Sequence, residues 1–235
     1  MWFRKKFGPT LWAVEYFSYT IVKTVQLDKE KNYIFAIHPH GIMAASSSLL
    51  TMGETFEKTF PGMTIKVATL TGQFRWPLRR EIGMGLGAID SSKESLQWYL
   101  RNSQKGHSLG IVVGGLSESL MTTPGKYYLK LKDRKGFCKL ALEEGLVIER
   151  DERDNESYRK DLIPVFQFGE NYMYDQAMGT DKRRLRNGQV SQGVIHSTNV
   201  TIEAIMRDMI GFVPPLPIGK SVLGLPWGGM MPNKY

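Results

Sequence analysis

The stretch NYIFAIHPHGIMAASSS, residues 32–48, joins a β-prone apolar run to two histidines around a proline and then to a string of small residues. Residues 32–37 read as a short buried strand, and His38-Pro39-His40-Gly41 reads as the turn on which that strand ends. Pro39 fixes its own φ and restricts His38 before it, so the two imidazoles sit on a shaped turn. Gly41 either lets the backbone approach a neighbour closely or opens the next helix. That helix is expected over GIMAASSSLLTMGETFEKTF, residues 41–60, where Ala44, Ala45, Ser46 and Ser47 permit close packing.

A strand that hands over to a helix is also the unit of the chain downstream. TIKVATL (64–70) is the next strand, and SSKESLQWYLRNSQKG (91–106) is a helix with a serine N-cap, an early glutamate and a terminal glycine. SLGIVVGG (108–115) is a buried strand ending in paired glycines, GFCKLALEEG (136–145) a helix closed by Gly145, and LIPVFQFG (162–169) a further strand. This alternation implies a layered α/β domain with a largely parallel sheet flanked by helices, in which ligands gather at the carboxyl ends of the strands. Three such ends carry chemistry: the histidine turn, Gly114-Gly115 with Glu118, and Pro164 before VFQFGEN. They can converge in space although far apart in sequence.

Composition bounds the rest. The 235 residues, 42% hydrophobic and 11% aromatic, suffice for a real core and argue against global disorder. A formal charge of +8 favours anionic partners: phosphorylated cofactors, lipid head groups or nucleic acid. The last has little support, because the basic run DKRRLR (181–186) has no interleaved aromatic platform. Cys138 is the sole cysteine, which excludes an intrachain disulfide and a cysteine-rich zinc site and favours the cytosolic face. Residues 1–30 form an amphipathic segment too interrupted to span a bilayer. It is read either as interfacial, with Arg4, Lys5 and Lys6 at the head groups, or as packed on the domain.

Three roles compete for the histidine pair. A metal would need further ligands, and only His107 and His196 remain as imidazoles. Both rings could simply hydrogen-bond to the core. A general base is the third role, since imidazole accepts a proton from a hydroxyl near neutral pH. A base alone does not name a reaction.

The ordered set YFS, IVKT, YIFAIHPHGIM, ATLTGQFRWPLRREIGMGLGAIDSSKES, GIVVGGLSESL, PGKYYLKLKDRKGFCKLALEEG and LIPVFQFGEN resembles the type-2 diacylglycerol acyltransferases and their monoacylglycerol acyltransferase and wax-synthase relatives. The likeness runs from about residue 16 to the C-terminus. It implies a glycerolipid-acyltransferase-like fold and transfer of a fatty acyl group from acyl-CoA to a mono- or diacylglycerol hydroxyl. A long-chain fatty alcohol is the alternative acceptor, and a catalytically silent lipid- or partner-binding relative the alternative function. The setting implied is the cytosolic face of the endoplasmic reticulum membrane or a lipid droplet, with membrane lipid and a second copy of the chain as partners. No nucleic acid, no metal and no cofactor beyond the co-substrate acyl-CoA is expected.

On that resemblance His40 or His38 is the base, with His40 preferred for its nearness to Gly41 and the helix start. Glu118 orients a histidine or holds an acceptor hydroxyl, with capping of the following turn as its ordinary alternative. Pro39 shapes the turn, and amides at Gly41, Gly114 and Gly115 are oxyanion donors. Arg75, Arg79, Arg80, Arg134, Lys135 and Lys139 are candidates for the CoA phosphates. The glutamate block lacks the basic neighbour of the phosphate-handling glycerol-phosphate acyltransferases, since Ser117 and Ser119 flank Glu118; a neutral acceptor follows. The chain departs from the family pattern at Ser18, where the motif has proline. It departs again in polar insertions near 147–160 and 179–197, the first of which is read as a solvated loop or a gene-model artefact. Residues 31–235 are thus expected to be an acyltransferase domain that stops short of the family's C-terminus.

Overall fold

The computed structural model describes residues 2–6, 8–145, 161–176 and 217–218. Helices α1 (Trp2–Lys6) and α2 (Gly8–Tyr16) precede strand β1 (Tyr33–His38). Two short helices follow, α3 (Ala45–Leu49) and α4 (Thr55–Thr59), then β2 (Thr64–Thr69), a 3-10 turn (Thr71–Arg75), α5 (Arg79–Gly85) and β3 (Ala88–Asp90). The chain continues through α6 (Lys93–Asn102), β4 (His107–Val112), α7 (Gly115–Ser119), α8 (Gly136–Gly145) and β5 (Asp161–Phe166). A second 3-10 turn (Glu170–Tyr172) leads to the small antiparallel pair β6 (Asp175–Gln176) and β7 (Pro217–Ile218). The insertions at 147–160 and 179–197, the basic run 181–186, His196 and the C-terminal WGGMMPNKY lie outside the described residues.

The five main strands form one all-parallel sheet in the order β3-β2-β4-β1-β5, so the expected layered α/β architecture is present. Central β1 is buried at all six positions, as the unbroken run YIFAIH requires of a strand covered on both faces. Tyr33, Phe35 and Ile37 pack with Leu50, Phe56, Met63 and Ile65 on one face. On the other, Ile34 meets Leu96, Tyr99 and Leu100 of α6, Leu109 of β4 and Leu140 of α8. Arg101 clamps α6 to α8 through two bonds to the buried Glu144, at 2.9 and 2.8 Å. Pro164 pairs with Ala36 on β5, an edge strand, where a missing N–H leaves no ladder bond unmade on the outer side.

One element differs from the sequence reading. The helix expected over 41–60 is broken into α3 and α4, because Gly53 takes a left-handed conformation (φ +64°) between them. At the N-terminus, where the sequence left two readings open, Arg4 and Lys5 dock on the domain while Leu11 and Trp12 stay exposed. Arg4 is buried, donating to Ile65 O at 3.1 Å and pairing with Glu57 at 3.2 Å, and Lys5 pairs with the same carboxylate. Lys6 remains exposed. No helix among the described residues is long and apolar enough to cross a membrane.

Candidate active site

Because every strand of the sheet runs the same way, the ends of β1, β4 and β5 emerge side by side, and the three chemistry-bearing turns meet there. His38 closes β1 and is followed by a cis bond to Pro39. The His38 carbonyl accepts the Gln167 N–H beyond β5 at 2.6 Å, and the Ile37 carbonyl accepts the Val113 N–H beyond β4 at 3.2 Å. The histidine turn is thus anchored on both sides before any side chain is considered.

Glu118 reaches that turn through its backbone. One carboxylate oxygen accepts the His40 N–H at 2.6 Å and the other the Lys130 N–H at 2.8 Å. The side chain is 1% exposed, and it sits in α7 rather than capping it. A carboxylate taking two backbone donors in the interior is a strong, directional anchor. It orients His40 by fixing the peptide, not the ring. Gly114 is required for this: a Cβ there would fall 2.6 Å from the Glu118 Cβ and closer to its carboxyl group. Arg134 locks the same corner, donating from Nη2 to Gly114 O at 3.1 Å and to Ser117 Oγ at 3.0 Å. Ser119 ties α7 to the histidine segment through Ile42 O at 2.9 Å.

A second buried carboxylate, Glu170, holds the far end of the segment. It accepts the Ala45 N–H at 3.0 Å, the Ser46 N–H at 2.7 Å and the Ser46 hydroxyl. Gly41 (φ +59°) makes room for it, since a Cβ would lie 2.5 Å from Glu170 Cγ. Burial pushes the Glu170 carboxyl above the usual range, against the lowering pull of the Ser46 and Ala45 donors. Sequence reasoning missed this residue. The FGEN string offered it, but nothing local says that a glutamate four residues past a strand will fold back under a glycine 129 positions earlier.

The two imidazoles differ. His40 is half-buried, and its Nδ1 lies 2.9 Å from Gly41 O. A carbonyl only accepts, so Nδ1 carries the proton and the Nε2 lone pair is left to accept. His38 is buried, with an Nδ1 that meets no partner among the described residues. Burial lowers both pKa values below the ordinary 6.5, opposed for each by the nearby Glu118 charge and for His40 also by the Gly41 bond. Both rings are therefore neutral at neutral pH. The backbone N–H groups of Gly41 and Gly114 donate to no acceptor among the described residues. Gly115 has φ +57°, which suits the abrupt entry into α7.

The expected phosphate contacts divide. Arg134 belongs to the site's frame. Arg75, Arg79 and Arg80 follow β2, separated from β1 by β4, and are exposed. Lys139 pairs with Glu143 at 3.7 Å, and Lys135 is exposed on entry to α8. His107 starts β4, at the opposite end of the sheet. Among the described residues no group of three or more His, Cys, Asp or Glu side chains is arranged to hold a metal ion.

Comparison with known proteins bears on this geometry. The family model described as diacylglycerol acyltransferase matches residues 1–234. Human diacylglycerol O-acyltransferase 2 is 34% identical over 228 residues, covering 94% of this chain and 52% of the relative. The Dictyostelium discoideum protein of the same name is 33% identical over 223 residues, covering 94% and 58%. Diacylglycerol O-acyltransferase 2A of Umbelopsis ramanniana is 34% identical over 222 residues, covering 94% and 54%. The chain spans about half the length of these relatives. No solved structure matches.

Proposed function

The chain belongs to the diacylglycerol acyltransferase family, and from that premise we propose that it transfers a fatty acyl group from acyl-CoA to a glyceride hydroxyl in neutral-lipid synthesis. The observation that carries the chemistry is the Nδ1–H of His40 bonded to Gly41 O, which leaves Nε2 as a base on a turn anchored by Glu118 and Glu170. The acceptor oxygen attacks the thioester carbonyl while Nε2 takes its proton. The Gly41 amide, aided by that of Gly114, donates to the oxyanion. The C–S bond then breaks, the ester carbonyl re-forms, and the imidazolium returns the proton to the departing CoA thiolate. This sequence needs no group beyond the two substrates.

The names of the relatives favour diacylglycerol as acceptor over monoacylglycerol or a fatty alcohol, and an endoplasmic reticulum membrane or lipid droplet is where such a substrate resides. His38, buried and without a bond at Nδ1 among the described residues, is read as the wall of the site rather than its base. Turnover of labelled oleoyl-CoA with diacylglycerol tests the assignment. His40→Ala is expected to lower kcat by about a hundredfold to ten-thousandfold, the range for loss of a general base. His38→Gln is expected to do less, and the double variant to be scarcely worse than His40→Ala alone. Near-normal turnover of His40→Ala, or greater damage from His38→Gln, refutes the assignment. Absence of turnover in the parent chain would favour a silent lipid-binding relative.

A further inference from the structure

The two ends of the parallel sheet have different surfaces. At the amino end, the connections entering β1, β2 and β4 keep Leu27, Phe60 and Met63 buried or half-buried and expose Val22 and Val25, with Lys105 3.9 Å from Glu30. At the carboxyl end aromatic side chains are exposed as well, beside a larger excess of cations. The connection after β2 exposes Trp76 (60%) and Leu78 (72%), that after β4 exposes Tyr128 and Leu131, and the end of β5 exposes Phe166 and Phe168 (84%). Residues 70–86 carry three arginines against one acid, and residues 126–135 five cations against one acid.

These side chains form one face rather than scattered exposure. All three connections leave the same end of the sheet, and β2 and β5 are three strand spacings apart, about 14 Å. The face is continuous with the site. The Lys130 N–H is held by Glu118, the Tyr127 ring packs at a tilt against Phe166 with centroids 5.3 Å apart, and Phe166 is the register partner of His38. Large aromatic and aliphatic side chains interleaved with cations match an anionic bilayer surface, where the rings sit at head-group depth and each cation gains from lipid phosphate. The leucines exposed among these aromatics, Leu78 and Leu131, favour lipid over nucleic acid.

We propose that the carboxyl end of the sheet, presented by the connections after β2, β4 and β5, is the face on which the protein docks to an anionic phospholipid surface, so that the site opens directly onto the bilayer. That the face delivers a lipid acceptor rests on the acyl-transfer reading; the docking itself does not. The N-terminal cations are less available for the same task, since Arg4 and Lys5 are engaged by Glu57.

The test uses full-length chains reduced to one tryptophan, the others replaced by Phe. One retains Trp76 and the other Trp98, which is 66% exposed but lies on α6, packed along the sheet rather than at its end. Both are checked by circular dichroism and mixed with phosphatidylcholine–phosphatidylserine vesicles whose acyl chains carry bromine. Trp76 emission is expected to be quenched about threefold more than that of Trp98, as insertion to head-group depth requires. Equal quenching, the reverse order or none overturns the proposal. In the otherwise native chain, Lys126→Ser with Lys132→Ser is expected to weaken binding to phosphatidylserine vesicles about thirtyfold. An unchanged affinity, or tighter binding of a single-stranded oligonucleotide lost in the same variant, overturns it. Turnover in detergent micelles is measured separately. Lost turnover with quenching intact refutes acyl transfer alone, and intact turnover without quenching refutes docking alone.

Discussion

Replacing Gly114 by alanine isolates the contact on which the histidine turn depends. The backbone at Gly114 is ordinary right-handed helix (φ −61°, ψ −35°), so alanine meets no conformational penalty there. The added Cβ instead lands 2.6 Å from the Glu118 Cβ and against its carboxyl group. Glu118 cannot retreat without releasing His40 N–H and Lys130 N–H, held at 2.6 and 2.8 Å. Hydrogen bonds to an ionised group contribute about 1.5–3 kcal/mol each, so eviction costs about 3–6 kcal/mol. That is a large part of the stability of an ordinary domain. Urea unfolding followed by circular dichroism is expected to show a loss of this size, with turnover at least a hundredfold lower as the His40 peptide is freed. Glu118→Ala should lose a similar amount, and the double variant should add no more than about 0.5 kcal/mol, because both changes remove the same anchor. Gly114→Ala with stability within about 1 kcal/mol of the parent and normal turnover would refute the reasoning, as would full additivity.

The pH profile of kcat/KM should fall on the acid side with a midpoint below 6.5. Protonated His40 cannot accept the hydroxyl proton, and burial lowers its pKa, so activity persists until pH drops through that lowered value; a midpoint at or above 6.5 contradicts the assignment. Gly41→Ala is expected to cost about 2–4 kcal/mol in urea unfolding, about 1–2 of it from the left-handed backbone and the rest from displacing Glu170. Glu170→Gln should be milder and should change the pH dependence. The native Glu170 carboxyl holds its proton more tightly than in the unfolded chain, so ionising it costs stability as pH rises above 4.5; the glutamine variant should gain on the parent from pH 4.5 to 8, and a constant difference would contradict this.

The strands were legible because each is a run of apolar residues bounded by turn formers; the observed β1, β2, β4 and β5 begin within a residue of those runs, and β4 and β5 end three residues before the runs do. Helix α6 was legible through its serine start and early glutamate, although it ends at Asn102, short of Gly106, and α8 through its closing Gly145. Elements α5 and α7 were not: RREIGMG and GLSES are short and glycine-bearing, and only tertiary packing makes them helical. Strand β3 has three residues, too few for any pattern to register. The N-terminal segment was ambiguous for a different reason. A basic residue beside aromatics looks the same whether it faces head groups or a buried partner, and Arg4 could be placed only once Glu57 and the Ile65 carbonyl were seen around it.

At the site, the sequence singled out the histidine turn, Gly114 and Glu118 but neither Glu170 nor the way these residues meet. Glycines and glutamates were weighed as separate signals, one for backbone freedom and the other for charge. In the folded chain they work in pairs: Gly114 leaves the volume that Glu118 fills, and Gly41 the volume that Glu170 fills. Glu118 then grips the peptide at His40 and Glu170 the peptides at Ala45 and Ser46, so two buried carboxylates hold both ends of a six-residue turn on which His40 stands. Each pair is expensive alone, since a carboxylate without donors would not stay buried and a glycine without a neighbour would only loosen the chain. The donors make the burial favourable, and the burial removes the freedom that the glycines introduce. An imidazole on so constrained a backbone keeps its Nδ1–H on the Gly41 carbonyl and so its Nε2 in the accepting state, which is the preorganisation that a general base requires.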